Sequence, residues 1–250
     1  MSFWFLHGLE KGIRTTRYPR RPDSTPGITP GRPVTTTFLS VEQALEAAAN
    51  CPVGAISAVG KQAVVALPTC VHCERCRFGL PNPLEWENTY EWAQVPAGKP
   101  EPGEALPSAF ARSVHIIVVD AGDCGACLRE VRQLNNPFYN IHRLGAFFTA
   151  TPRTADVLLV VGPVTENMRG ALLKTYDAMP DPKKVMAVGS CAITGGVFGQ
   201  TFASAGGVGA VLPVDLEVPG NPPPPLAILH GLLVLTGRRN PLPHQPFSVI

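Results

Sequence analysis

Charged residues are scarce in this chain of 250 residues. They occupy 16% of the positions, whereas hydrophobic residues occupy 45%. Soluble domains usually carry about 25% charged residues, so an ordinary monomer surface is difficult to build from this composition. We therefore expect much of the surface to contact partner subunits.

Long hydrophobic runs and export signals are also missing. The apolar run at residues 2–6 is short and lacks a small-residue cleavage site, unlike a signal peptide. The run at 226–235 has about half of the roughly 20 residues that a membrane crossing needs. These features predict a soluble chain that stays in the cytoplasm.

Several binding and catalytic motifs are absent from the sequence. No G-x-G-x-x-G follows a predicted strand, and there is no Walker A or G-x-S-x-G sequence. These absences argue against a dinucleotide site, a nucleoside triphosphate site and a serine nucleophile elbow. Outside the first 21 residues no basic run is interleaved with aromatic residues, so we do not expect nucleic acid as a partner. Residues 1–33 hold six basic and two acidic groups, and we interpret them as an N-terminal docking arm.

Cysteine is well represented, with seven residues. Because the chain lacks an export signal, metal ligation or free thiols are favoured over disulfides. Three cysteines form the run Cys70-x-x-Cys73-x-x-Cys76, and Cys51 precedes a proline. Both patterns are typical of bacterial ferredoxins, in which cysteine thiolates hold 4Fe-4S clusters.

The missing cysteines of this pattern are informative as well. In two-cluster ferredoxins the run C-x-x-C-x-x-C-x-x-x-C-P occurs twice, and its fourth cysteine ligates the other cluster. Here the positions that would hold one complete cluster carry apolar residues, namely Val41, Ala44, Ala47 and Leu80. The positions for the other cluster are all filled, by Cys51, Cys70, Cys73 and Cys76. Residues 34–82 thus resemble a bacterial-ferredoxin-like α+β domain with one 4Fe-4S cluster, in which apolar side chains fill the vacated space.

A zinc ion is the alternative metal centre for this segment. Cys70, Cys73 and Cys76 together with His72 or Cys51 would supply a four-ligand set of the kind that zinc accepts. Zinc motifs more often consist of paired C-x-x-C units, which this segment does not have.

A second domain is predicted after a proline-rich linker at 83–112. Continuous apolar runs at 113–120, 155–162, 184–189 and 210–215 indicate strands that are covered on both faces. Helical stretches are predicted at 128–134, 166–178 and 224–237. This alternation predicts an α/β domain at 113–250 with a parallel sheet, whose functional groups follow the carboxyl ends of the strands.

The remaining cysteines follow two of these strands. Cys124 and Cys127 come after the first predicted strand and Cys191 after the third. Three thiolates from two strand ends can converge on one point. They can also be ordinary buried small hydrophobic residues.

A family resemblance rests on an ordered set of motifs in this second domain. The set covers roughly residues 113–238 and resembles the 20-kilodalton subunit of respiratory complex I and the small subunits of membrane-bound, energy-converting nickel-iron hydrogenases. Its elements are Cys124-x-x-Cys127-x-x-Glu130, Arg143-x-Gly145, residues 151–156, Gly162-x-Val-Thr-x-Asn167, residues 176–180, Gly189-Ser-Cys191-Ala192 and residues 213–220.

The resemblance implies a flavodoxin-like domain with a proximal 4Fe-4S cluster on four cysteines. Three of these map onto Cys124, Cys127 and Cys191, but Asn221 stands at the fourth position. A neutral amide oxygen is a poor substitute for a thiolate. The site would therefore hold a 3Fe-4S or labile 4Fe-4S cluster, a cluster completed by Asn221 or water, or none.

Glu130 matches a glutamate that can relay protons in hydrogenase relatives. A carboxylate in the first turn of a helix is equally favoured by the helix dipole alone.

The function that the resemblance implies is electron transfer. It predicts an iron-sulfur subunit of a membrane-associated complex related to group 4 nickel-iron hydrogenase, formate hydrogenlyase and complex I, with the catalytic centre in a partner subunit. Expected partners are a hydrogenase large subunit or 49-kilodalton-like chain, membrane-arm subunits and another electron carrier, at the inner face of the cell membrane. The alternative is a structural or assembly module that has lost the proximal cluster.

Overall fold

The computed structural model describes residues 3–98 and 105–243. The first part of the chain forms short helices and two small antiparallel sheets, a pair β1-β5 and a three-stranded sheet of order β2-β4-β3. Its elements are α1 (Trp4–Lys11), β1 (Arg32–Pro33), β2 (Thr36–Thr37), α2 (Val41–Ala49), β3 (Ile56–Val59), β4 (Gln62–Val65), α3 (Arg75–Phe78) and β5 (Trp86–Glu87).

Local sequence signals explain the central elements of this part. Helix α2 begins after a capping box, in which Ser40 and Gln43 exchange side-chain and backbone hydrogen bonds. Strands β3 and β4 are joined by a two-residue turn at which Gly60 adopts a positive φ of 58°. The ferredoxin-like interpretation of 34–82 stays a prediction.

The second part of the chain builds a five-stranded parallel sheet with order β10-β9-β8-β6-β7. Counted within the sheet, this is the order 2-1-3-4-5 of flavodoxin-like doubly wound folds. Its elements are β6 (Val114–Asp120), α4 (Ala126–Gln133), β7 (Ala146–Phe148), β8 (Val157–Val161), α5 (Glu166–Asp177), β9 (Lys184–Val188), α6 (Ser190–Thr194), β10 (Leu216–Val218) and α7 (Pro225–Leu235). The predicted α/β class with a parallel sheet is confirmed.

Helices cover both faces of this sheet. Helices α4 and α7 share one core with Leu159 of the central strand β8, and α5 and α6 share the other core with Leu158. All five residues of β8 are buried, because alternate side chains enter opposite cores. This burial explains the continuous apolar run in the sequence.

The strands predicted from the sequence differ from the structure in two ways: one is misplaced and one is not predicted. The strand predicted at 210–215 is wrong, since a 3-10 helix occupies Val208–Ala210 and the strand starts at Leu216. Pro213 has no backbone N–H and so cannot donate a ladder hydrogen bond to β9. The edge strand β7 was missed because three residues are too few to show a periodicity.

The segment predicted as a linker packs into the larger core. Tyr90, Trp92 and Ala93 are buried there, and Trp92 Nε1 donates a 2.7 Å hydrogen bond to the carbonyl oxygen of Pro219. Residues 99–104 of the predicted linker lie outside the described part. The two cysteine-bearing parts of the chain are thus joined by packed structure over residues 90–95.

The predicted docking arm has two structural parts. Helix α1 buries no residue and exposes Trp4 and Leu9. Further along, the Thr16 N–H donates to the carbonyl oxygen of Phe138, and Tyr18 is almost fully buried. None of the helices in residues 3–98 and 105–243 has both the length and the apolar character needed to cross a membrane.

Candidate functional site

Four cysteines from separate segments line one small cavity. Cys51 follows the end of α2, Cys70 and Cys73 lie in the loop after β4, and Cys76 lies in α3. Together with Trp86 they form part of the cavity wall. The set predicted from the sequence as Cys51, Cys70, Cys73 and Cys76 is brought together.

The loop that carries three of these cysteines has an unusual backbone. His72 and Glu74 adopt positive φ angles of 50° and 57°, a region that residues other than glycine rarely occupy. The Cys70 sulfur accepts the His72 N–H at 3.4 Å, and the Cys51 sulfur accepts the Ala55 N–H at 3.2 Å. Backbone donors thus point at sulfur, which favours thiolates at these positions.

Burial and repulsion between neighbouring thiols raise the pKa of Cys70 and of Cys76. The pKa of Cys70 is raised to about 12, chiefly by burial and to a smaller extent by the neighbouring thiols of Cys76, Cys51 and Cys73. The pKa of Cys76 is raised by burial and then by Cys73. A bound metal centre supplies the positive charge that releases such protons.

Unpaired polar atoms concentrate at the same site. Within the described residues, every buried side-chain nitrogen or oxygen without a hydrogen-bond partner belongs to Asn50, His72 or Trp86. Asn50 precedes Cys51, His72 lies between Cys70 and Cys73, and Trp86 lines the cavity. Buried polar groups in native proteins nearly always have partners. The unpaired Trp86 N–H on the cavity wall, with unpaired nitrogens on residues adjacent to the cysteines in the chain, therefore fits a bound group that carries acceptor atoms.

A single metal ion does not suit this arrangement. Across residues 3–98 and 105–243, no three His, Cys, Asp or Glu side chains converge closely enough to hold one ion. Zinc needs sulfur ligands about 2.3 Å from a common centre. The zinc interpretation thus has no geometric support in the described chain. An iron-sulfur cluster contains several atoms, so its cysteine ligands lie farther apart than the ligands of a single ion.

Three of the four vacated ligand positions are in the core next to this cavity. Ala44 and Ala47 are fully buried, and Leu80 packs against the same cluster of apolar residues. Val41, by contrast, is 46% exposed at the start of α2. Core filling therefore holds for three positions and is wrong for Val41.

The other three cysteines lie beyond the carboxyl ends of β6 and β9, which flank the central strand β8. Cys124 and Cys127 lie between β6 and the first turn of α4, and Cys191 lies in α6 directly after β9. Burial raises the pKa of Cys127 and of Cys191, and the charge of Cys124 raises both further. The three thiols are thus near enough to interact.

The loop with the fourth family position reaches the same point. A β-carbon on Gly189 would lie 2.6 Å from the Cys127 sulfur and 3.5 Å from the carbonyl oxygen of Gly220. Gly220 also accepts the Ser190 N–H at 2.8 Å. Asn221, the next residue, therefore lies in the loop that reaches this group of thiols, and its role as a replacement for a fourth cysteine stays a prediction.

An acidic residue that sequence reasoning missed stands beside these thiols. The Asp123 carboxylate accepts N–H groups from Gly125 and Leu128, both at 3.0 Å. Its negative charge raises the pKa of Cys127 and Cys191. An aspartate shortly before a predicted helix, adjacent to a cysteine, was the available signal.

Glu130 lies one turn along α4 from this group of thiols. Burial raises its pKa, and its charge contributes to the raised pKa of Cys127. The structure thus puts Glu130 close to the second cysteine group. A role in proton relay stays a prediction.

The fold and the two cysteine groups define a doubly wound α/β protein with thiol-lined sites. Residues 124–235 match the family described as NADH ubiquinone oxidoreductase, 20 kDa subunit. This chain belongs to that family.

Relatives support the same relationship. An uncharacterized protein of Methanocaldococcus jannaschii is 43% identical over 122 residues, which are 49% of this chain and 82% of that protein. Formate hydrogenlyase subunit 7 of Escherichia coli is 36% identical over 133 residues, or 53% of this chain. The match spans about half (52%) of the length of that subunit.

One solved structure with a similar chain is that of a membrane-bound sulfane sulfur reductase, an archaeal respiratory membrane complex. It is 29% identical with a TM-score of 0.46, covering 52% of this chain and 73% of that chain. By its family and its relatives, this chain is related to subunits of multi-subunit oxidoreductase complexes.

Proposed function

We propose that this chain is an electron-transfer subunit of a multi-subunit oxidoreductase of the hydrogenase and complex I type. A 4Fe-4S cluster would be held by Cys51, Cys70, Cys73 and Cys76 and would take up and release single electrons. The observation that carries this proposal is the convergence of four thiols and the unpaired Trp86 N–H on one cavity, with further unpaired nitrogens on Asn50 and His72 next to the cysteines in the chain. The catalytic centre would lie in a partner subunit.

The chain's own residues have definable tasks at this first site. Backbone N–H groups of Ala55 and His72 stabilise sulfur charge, and the apolar core around Ala44 and Ala47 excludes water on one side. Cys73 is exposed, so the outer side of the site is open to an electron donor or acceptor. An approaching electron carrier would dock there.

The second site is a candidate for an incomplete cluster. Cys124, Cys127 and Cys191 supply three thiolates, and Asn221 occupies the loop where the family resemblance implies a fourth cysteine. Asp123 adds negative charge beside them, which disfavours further electron density. A 3Fe-4S or labile 4Fe-4S cluster is the form of this site that three thiolates support.

The partner surface is inferred from exposed apolar residues beside the second site. Val197, Phe198 and Phe202 are 61%, 65% and 99% exposed. They follow Gly196, whose β-carbon position lies 2.6 Å from the Cys191 sulfur. We propose that a large catalytic subunit, resembling the 49-kilodalton chain or a hydrogenase large subunit, covers this surface. Membrane-arm subunits would bind elsewhere and hold the assembly at the inner face of the membrane.

The second candidate function is a structural or assembly module without electron transfer through the second site. The observation that favours it is Asn221, since an amide side chain at a ligand position weakens cluster retention. Under this alternative the first cluster would stabilise the fold only.

Iron and sulfide counting on anaerobically purified protein tests the proposal. About four irons per chain indicate one cluster, and seven or eight indicate two. Cys70→Ser should remove the iron of the first site, whereas Cys191→Ser should leave that iron in place, so each variant is the control for the other. Asn221→Cys should add iron and a new EPR signal of the reduced protein if the second site is poised for a cluster. Iron-free wild-type protein would contradict the proposed function.

A further inference from the structure

Trp86 differs from the other tryptophans of this chain in its surroundings. It lies in β5, pairs with Pro33 of β1, and lines the cavity of the four cysteines. Its Nε1 is buried and has no hydrogen-bond partner. Trp92 Nε1 is satisfied by Pro219, and Trp4 is 77% exposed to water.

An orphaned indole N–H is unfavourable in the bare protein. A buried donor without an acceptor has given up its hydrogen bond to water without a replacement. The nearby His72 ring does not accept the Trp86 N–H. The two rings meet edge to face with centroids 6.3 Å apart, and both His72 ring nitrogens lack hydrogen-bond partners. The acceptor for Trp86 must therefore come from whatever fills the cavity.

The available acceptors in the filled cavity are sulfur atoms. Cys76 lines the same cavity, and the Trp86 N–H lies near enough to its sulfur to favour the thiolate, although the contact does not reach full hydrogen-bond geometry. Loss of the Cys76 proton on ligation would turn its sulfur into a stronger acceptor. Inorganic sulfides of a cluster would be further acceptors in the same space.

We propose that the Trp86 indole N–H donates a hydrogen bond to a sulfur of the cluster held by Cys51, Cys70, Cys73 and Cys76, and thereby raises its reduction potential. This inference rests on the proposed function. Reduction adds one electron, supplied by an electrode or chemical reductant, and so increases the negative charge on the sulfurs. A donor aimed at sulfur stabilises the reduced form more than the oxidised form, which makes reduction more favourable.

Trp86→Phe tests the proposal because it keeps an aromatic ring at this position and removes the N–H donor. Trp4→Phe is the matched control, since it removes an exposed indole on α1. Both variants are purified anaerobically, their iron is counted, and the midpoint potential is measured by redox titration with EPR detection. We expect wild-type iron content in both, and in Trp86→Phe a threefold to tenfold smaller ratio of reduced to oxidised cluster at a fixed potential. A tenfold change corresponds to about 59 mV for a one-electron couple.

The outcomes separate this inference from the function on which it rests. Iron-free wild-type protein would contradict the proposed function. A Trp86→Phe protein with full iron and an unchanged midpoint potential would overturn the Trp86 hydrogen bond alone. If Trp86→Phe loses its iron, wild-type protein and Trp4→Phe labelled with ¹⁵N in the indole ring are compared by pulsed EPR. Coupling of the reduced cluster to an indole nitrogen in both supports the bond, and absence of coupling refutes it.

Discussion

Glu217 illustrates how strongly one half-buried carboxyl group can couple the stability of this fold to pH. It lies on β10, where its backbone pairs with Gln94, and Gln94 Nε2 donates to its carboxylate at 3.4 Å. Burial raises the pKa of Glu217 to about 7. Because the folded state holds this proton more tightly than the unfolded state, stabilisation is fully present below the ordinary carboxyl pKa and is lost as pH rises towards 7.

Glu217→Gln should therefore remove a pH-dependent loss of stability. We expect the free energy of unfolding of the variant to gain on the wild type as pH rises from 5 to 8, by on the order of 1–3 kcal/mol. Urea unfolding at several pH values under anaerobic conditions measures this difference. Glu46→Gln, an exposed position on α2, should follow the wild-type curve. Parallel curves for wild type and Glu217→Gln would contradict the argument.

At the scale of elements, the capping box at the start of α2 helps to position the first cysteine site. The Ser40 side chain accepts the Gln43 N–H at 3.4 Å, and the Gln43 amide oxygen accepts the Leu39 N–H at 3.1 Å. This start sets the register in which Ala44 and Ala47 enter the core. The helix ends at Ala49, so that Cys51 reaches the cavity.

Ser40→Ala should destabilise this helix by about 1 kcal/mol, because it leaves N-terminal N–H groups without their side-chain acceptor. Thermal or urea unfolding, followed by the visible absorbance of a bound cluster and by circular dichroism, measures the effect. Ser40→Asp keeps an acceptor at the cap and should retain most of the wild-type stability. Equal losses in both variants would show that the capping bond is not the cause.

At the scale of the whole molecule, the exposed apolar surface next to the second site sets an expectation for assembly. Val197, Phe198 and Phe202 lie in the loop after α6, beside Cys191. A surface of this kind, rimmed by polar residues, marks interaction sites in soluble proteins. The low charge content of the sequence points in the same direction.

Phe202→Asp should weaken the retention of a large partner subunit in the native assembly by tenfold or more, since a desolvated carboxylate would oppose burial of this surface. Co-purification from the native membranes and the apparent dissociation constant measure the effect. Phe202→Leu keeps an apolar side chain and should assemble nearly normally. The iron content of both variants should match the wild type, and normal assembly of Phe202→Asp would exclude this surface as the docking site.

The apolar pattern of the sequence predicts strand positions correctly where the strands are long and buried. The apolar runs that became β6, β8 and β9 were recognised because each is covered on both faces, and the helices α4, α5 and α7 were located to within a few residues. The strand β10 was misplaced, since an apolar run with Pro213 resembles a strand without being able to pair as one. A strand of three residues such as β7 is too short to show the apolar periodicity from which strands are predicted.

The amino-acid sequence by itself determined the grouping of cysteines and the class of fold. The spacing of the cysteines is visible directly along the chain. A strand that is buried on both faces of a sheet consists almost entirely of apolar residues, so its sequence reveals that burial. Only the tertiary structure decided that residues 90–95 join the two cysteine-bearing parts, that Asp123 faces the thiols of the second site, and that Trp86 presents an unpaired N–H at the first. These features depend on contacts between residues far apart in the chain, and no local pattern encodes which distant partners will meet.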